Sequence, residues 1–243
     1  MITKTLKLST MAAAVLFTSA VKAQTLDEVI DNHIKAVGGK EKLAAVKTLS
    51  IEGKVETNGM DLPMTIKTLN NVGTRMELDI MGGKLIQVFS AKMNWALNPT
   101  EIGGSGQAEE IPADAAKGSS SRYELGGAFY NYKETGKTAK LIGKEMLDTK
   151  DCFRIELTTK DGSTTTYFID DKDYYIVKTI GKISIQGQDM DVETKLSDYR
   201  KINNGMVVCF KRESVQGEQE RTITYDKVEA DKEVDMKIFD MPK

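Results

Sequence analysis

From Thr48 to near the C-terminus the chain alternates apolar and polar residues with a period of two, and turn signals break the alternation about every 8–12 residues. Leu49, Ile51, Gly53 and Val55 fall on one parity and Ser50, Glu52, Lys54 and Glu56 on the other, the pattern of a half-buried strand. Asn58-Gly59 turns the chain into Leu62, Met64 and Ile66, which predicts a hairpin. Met76, Leu78 and Ile80, then Leu85 to Phe89, then Met93, Trp95 and Leu97 extend a meander. After residue 138 the pattern resumes: Phe153, Ile155 and Leu157 alternate with Arg154, Glu156 and Thr158, and Asp161-Gly162 turns into the next strand. Further strands follow to Val228. No helical stretch of crossover length separates any two of them, so a parallel sheet is disfavoured and about eleven antiparallel strands are expected. Twist makes so wide an open sheet unfavourable unless it curls. The solutions are a closed barrel, a sandwich, or a half-open barrel whose concave face is covered by helices.

Two segments depart from this pattern. Before the strands, Thr25 and Glu28 form a capping box; Leu26, Val29, Ile30, Ile34 and Val37 recur at helical spacing, and Gly38-Gly39 supplies the stop. A short second helix is expected over residues 41–46. Between the two runs of strands, residues 98–118 mix Gly and Pro with Ala and Glu and predict a long loop, with a helical turn near 113–117. Residues 121–133 are rich in aromatics and predict a helix or an irregular segment, the helix weakened by Gly126-Gly127.

The N-terminus has the order of a secretory signal peptide: Lys4 and Lys7, an apolar run from Leu8 to Ala20, then Val21-Lys22-Ala23. Cleavage is expected after Ala23, leaving residues 24–243 as a single periplasmic domain. Gln24 stands where a lipoprotein signal needs cysteine. The formal net charge is -2 with 29% charged residues of both signs, which gives no footprint for nucleic acid. Cys152 and Cys209 would be exported to a compartment where disulfides persist; sequence leaves a bridge and two free thiols equally open.

Chemistry is sparse. His33, the one histidine, flanks the apolar stripe of the first helix and reads as a helix-flank residue rather than a general base. No nucleophile signature accompanies it. The acidic neighbour of Cys152 argues against a reactive thiolate. Asp170, Asp171 and Asp173 lack the glycine and terminal glutamate of a calcium loop and read as a hairpin turn. Gly103-Gly104-Ser105-Gly106 lacks the Lys-Ser/Thr of a phosphate loop. Neither a metal, a cofactor nor catalysis is expected. Ten methionines after residue 24, several beside Trp95, Leu97 and Phe153, suit either ordinary core filling or an adaptable apolar site.

Leu26-Asp27-Glu28-Val29-Ile30, Ala36-Val37-Gly38-Gly39-Lys40-Glu41-Lys42-Leu43 and Leu49-Ser50-Ile51-Glu52-Gly53 resemble the opening of the outer-membrane lipoprotein-sorting proteins, the LolA-like carriers. Tyr167-Phe168-Ile169-Asp170, Ser197-Asp198-Tyr199-Arg200, residues 223–228 and Phe239-Asp240-Met241-Pro242 are similar to that family's closing strands. The resemblance implies a mainly β fold, a curved antiparallel sheet forming an unclosed half β-barrel with a helical lid. It also implies a soluble periplasmic carrier for the acyl chains of lipoproteins or other lipids, acting without covalent chemistry and served by envelope membrane-protein partners. Leu62, Met64, Ile66, Met76, Leu78, Trp95, Leu97, Phe153 and Ile155 are the expected cavity lining, chosen by strand parity and apolarity. The alternatives are an envelope scaffold with a filled core and an esterase dependent on His33.

Overall fold

The structure, a computed structural model, describes residues 24–185, 188–216 and 219–242. The expected signal peptide, residues 1–23, lies outside the described residues. Helix α1 (Leu26–Ala36) opens on the capping box: Thr25 Oγ1 accepts from the Glu28 amide at 3.3 Å, and the Glu28 carboxylate accepts from the Thr25 amide at 2.8 Å. Its buried face is Val29, Ile30, His33 and Ile34, one stripe at 3.6-residue spacing. Gly38 ends it at φ +131, where a side chain would press on the Met206 backbone at 3.1 Å. Helix α2 (Lys40–Ala45) follows and buries Leu43.

Strands β1 (Thr48–Thr57), β2 (Met60–Leu69), β3 (Gly73–Ile80), β4 (Gly83–Ser90), β5 (Trp95–Leu97) and β6 (Ala108–Glu110) form one meander. Strands β7 (Thr138–Leu147), β8 (Lys150–Thr158), β9 (Thr164–Asp170), β10 (Ile176–Ile185), β11 (Gln188–Lys201), β12 (Val207–Gln216) and β13 (Gln219–Ala230) form a second. The two join side by side through β1 and β13 into one antiparallel sheet, ordered β6-β5-β4-β3-β2-β1-β13-β12-β11-β10-β9-β8-β7. The seam needs Gly53. At the register shift between Glu52 and Gly53 a Cβ would lie 2.2 Å from the Thr224 carbonyl oxygen.

The sheet curls without closing, so β6 and β7 remain edges. They are consecutive in the chain, and residues 111–137 run from one to the other. Their only regular element is a single 3₁₀ turn, Ser119–Tyr123. Bonds to distant residues replace intrahelical ones here: the Asn71 amide donates to the Tyr123 carbonyl at 2.9 Å, and the Leu125 amide to the Asn70 side-chain Oδ1 at 3.0 Å. The aromatic stretch expected at 121–133 is therefore the irregular alternative. The stretch expected as loop at 98–118 contributes β6, an edge strand too short to show alternation.

The two faces carry separate cores. On the concave face, Val29, Ile30 and Ile34 of α1 and Leu43 of α2 pack onto Ile51, Val55, Leu62, Met64, Phe153 and Ile155. On the convex face, Val88 and Trp95 are covered by the C-terminal segment through Phe239. Among the described residues no helix is long and apolar enough to cross a membrane.

Candidate functional site

Helices α1 and α2 cover part of the concave face, and residues 121–128 approach from the opposite side. Between them and the sheet lies a cavity of about 540 Å³. That is within the roughly 300–1,000 Å³ typical of small-molecule sites. Its wall is mostly aliphatic and aromatic: Leu49 and Ile51 of β1, Ile66 of β2, Met76 of β3 and Phe89 of β4 form one side, and Ile176 and Leu196 the other. A methylene fills about the same space as a water molecule, ~30 Å³, so the cavity volume corresponds to on the order of one acyl chain.

The mouth is pinned by a few specific contacts. His33, 7% exposed, donates from Nδ1 to the Tyr174 carbonyl at 2.8 Å; that acceptor fixes the tautomer. Burial lowers its pKa, opposed by this backbone bond, so the ring is neutral near pH 7. Phe129 sets its edge against His33 at 5.6 Å and against Tyr167 at 4.9 Å, clamping the connection between β6 and β7 beneath α1. Glu124 on the cavity wall accepts from Lys137, a nearly buried ion pair between two points of that connection.

Of the residues expected to line the cavity, Ile66 and Met76 do so. Leu62, Met64, Phe153 and Ile155 belong to the same concave core but are buried in its filled part, and Leu78 packs against it half-buried. Trp95 and Leu97 lie on the other face. Strand β5 pairs Trp95 with Val88 and Leu97 with Ile86, whereas Gln87 and Phe89 are the β4 residues that reach the cavity. The tight turn at residues 90–94, closed by Ser90 Oγ on the Met93 carbonyl at 2.7 Å, resets the parity. Trp95 Nε1 instead donates to the Phe239 carbonyl at 2.9 Å.

Two cavity residues that parity and apolarity do not select are Arg212 and Arg122. Arg212 occupies β12 opposite Leu196, its guanidinium 5.6 Å from the Tyr225 ring centre. Arg122, on the connection, stacks over Phe89 at 4.6 Å and keeps solvent contact at the mouth. A signal for Arg212 was present: Lys211, Arg212 and Glu213 are three consecutive charges in a strand, so one of them must point inward. Lys211 and Glu213 pair with each other at 2.8 Å.

The remaining candidates resolve into structural roles. Asp170 Oδ1 accepts from the Lys172 and Asp173 amides at 2.9 and 3.2 Å, and Oδ2 meets Lys150 at 2.8 Å, so the acidic run is a capped turn. Cys152 and Cys209 are both buried free thiols. They sit on β8 and β12, four strands apart and so roughly 19 Å at the usual strand spacing, which rules out a bridge. Desolvation pushes the Cys152 thiol up to about 11, so it is not a thiolate at neutral pH.

An unclosed antiparallel sheet with its apolar concave face under helices recurs in solved structures. A domain named for outer membrane lipoprotein sorting, from Vibrio parahaemolyticus, matches over 87% of this chain and 94% of its own at 12% identity, with a TM-score of 0.58. A LolA superfamily protein from Nitrosomonas europaea matches over 90% and 98% at 11% identity, with the same TM-score of 0.58. The chain has the LolA fold. A DUF1329 family protein from Desulfovibrio piger shares it, at 13% identity over 90% and 98% with a TM-score of 0.58. No protein-family model matches the sequence, and none of the curated proteins compared with it does. The LolA-like backbone is thus built here from a largely different set of residues, and the cavity has to be read from its own side chains.

Proposed function

We propose that this LolA-like chain is an exported, soluble periplasmic carrier that shields the acyl chains of lipoproteins or other lipids by hydrophobic burial, without covalent chemistry. The observation that carries this reading is the lidded apolar cavity of about 540 Å³ on the concave face. Burying each methylene contributes about 0.8 kcal/mol, so the chain alone supplies affinity with little polar specificity. Ile66 and Met76 are the sequence-selected residues in contact with cargo, joined by Leu49, Ile51 and Phe89. The signal peptide, removed after Ala23, delivers the protein to the periplasm, where envelope membrane proteins load and unload it. The hydrogen bond of His33 to a backbone carbonyl gives it a structural task, which favours a carrier over an esterase.

Native mass spectrometry on freshly purified protein tests the proposal. The expected result is a bound lipid, or uptake of an acyl probe at one per chain. Met76→Asp, which puts a charge on the cavity wall, should weaken probe retention at least about tenfold. A protein that never retains lipid and never accepts an acyl probe is a scaffold with a closed core, and the proposal fails.

A further inference from the structure

The cavity wall is mostly apolar, yet two arginines face it and neither meets a carboxylate. Among the described residues Arg75, Arg154 and Arg200 pair with Glu77, Glu145 and Asp198. Arg122 and Arg212 have no such partner, and the one acidic side chain on the wall, Glu124, is taken by Lys137. Arg212 Nε is shielded from solvent and has no hydrogen-bond acceptor. Arg154 Nε shares that condition, but the Arg154 guanidinium is neutralised by Glu145. The polar neighbours of Arg212 are the Tyr225 and Tyr199 phenols and the Cys209 thiol; Tyr225 above all raises its pKa against burial, so it stays cationic. Partial desolvation against the cavity wall, and after it repulsion from the nearby Arg212 charge, lower the Arg122 pKa, although Arg122 still reaches solvent.

Two like charges directed into one cavity, one with a buried N–H that nothing accepts, are incomplete without an anion. Guanidinium groups bind carboxylate and phosphate oxygens through paired, charge-assisted hydrogen bonds. Arg212 lies on β12 and Arg122, on the connection, stacks over Phe89 of β4, while Leu49, Ile51, Ile66 and Met76 on β1 to β3 supply the apolar wall between those strands. We propose that the carried molecule is a single-chain anionic amphiphile, its carboxylate or phosphate between Arg122 and Arg212 and its acyl chain along Leu49, Ile51, Ile66 and Met76. This rests on the carrier reading above and narrows its cargo.

The test titrates delipidated protein, expressed from the full sequence, with palmitic acid, 1-palmitoyl glycerol 3-phosphate, hexadecanol and a neutral triacylated lipopeptide. The acid and the phosphate should each bind at least about tenfold tighter than the alcohol, and the tighter of the two identifies the head group. Arg212→Met should bring that ratio close to one while leaving the thermal midpoint at or above that of the parent, because it removes an unpaired buried charge. Arg122→Gln, at the solvent-reached mouth, should lower the ratio severalfold and serves as the test if Arg212→Met does not fold. Equal binding of acid and alcohol, a ratio unchanged in the folded variants, or lipopeptide binding as tight as the acid's overturns the anionic-head assignment and leaves the carrier reading standing. Inorganic phosphate displacing the acid at equal concentration shows a free-anion site and overturns the amphiphile. If none of the chain-bearing probes binds, the carrier reading fails and this inference with it.

Discussion

Acidification should loosen the fold through one identifiable residue. The chain has a single histidine, so between pH 7.5 and 5.0 His33 is the side chain whose ordinary titration range is crossed. In the folded state burial lowers its pKa below the ordinary imidazole value and outweighs the Nδ1–H bond to the Tyr174 carbonyl at 2.8 Å, which acts the other way. The unfolded chain takes up a proton on falling through about pH 6.5, and the folded chain resists. The unfolded state therefore binds more protons, and stability rises with pH across this window: full above about 6.5, lost as pH falls toward the folded pKa. At 1.36 kcal/mol per pKa unit the loss by pH 5.0 is at most about 2 kcal/mol. Asp161, whose carboxyl is held down at about 2, and Asp170 act in the same direction, but only nearer pH 4, where unfolded carboxylates begin to protonate. Urea denaturation at pH 7.5, 6.5, 5.8 and 5.0 measures the slope, with the m-value checking that the transition stays two-state. His33→Gln should cost about 1–2 kcal/mol at pH 7.5 through lost packing on Phe129, and its stability should then be nearly flat down to pH 5.0. A variant that keeps the parental slope, or a parent with no slope, refutes the assignment.

Other outcomes follow from the placement of particular groups. Trp95, the only tryptophan, lies on the convex face under Phe239, so acyl-probe binding should leave its emission unshifted, whereas Trp95→Ala should cost about 3–5 kcal/mol in denaturant titration. Gly53→Ala meets the Thr224 carbonyl at 2.2 Å and should lower stability by roughly 1–3 kcal/mol, with the thermal midpoint as readout. Because Cys152 and Cys209 are free, dithiothreitol should leave the thermal midpoint unchanged, and the Cys152 thiol should react with Ellman's reagent only on unfolding.

The strands were legible because alternation and turn chemistry are local. Asn58-Gly59 takes φ +49 and +73 in its turn, and Asp161-Gly162 places the Asp161 carboxylate on the Ser163 amide. Which strands become neighbours is not local: nothing in Leu49 or Ala230 announces that they pair, and the seam was invisible for that reason. Parity carried Ile66 and Met76 to the cavity but failed at Trp95 and Leu97, because a five-residue turn can return the chain on either face. It also failed to distinguish lining from filling. Met64 and Phe153 have the right parity, yet whether a concave core residue meets a void depends on how far α1 and the β6–β7 connection reach over it. Arg212 lay open to the argument from three adjacent charges, while its lack of a counter-ion is a property of the assembled cavity.

The seam between β1 and β13 sets an order of events for the chain. The hairpins of each meander join residues close in sequence and form on the timescale of local structure. The contact between them spans nearly the whole domain: the Thr48 hydroxyl donates to the Lys232 carbonyl, 184 residues away. Closing so long a loop is costly before the contacts it brings are made, which places the seam late and makes folding slow for a protein of this size. Until β13 has been made, β1 is an unpaired edge and the apolar face behind it has no opposing half. A nascent chain cannot hold this cavity, which is completed in one step with the last strand.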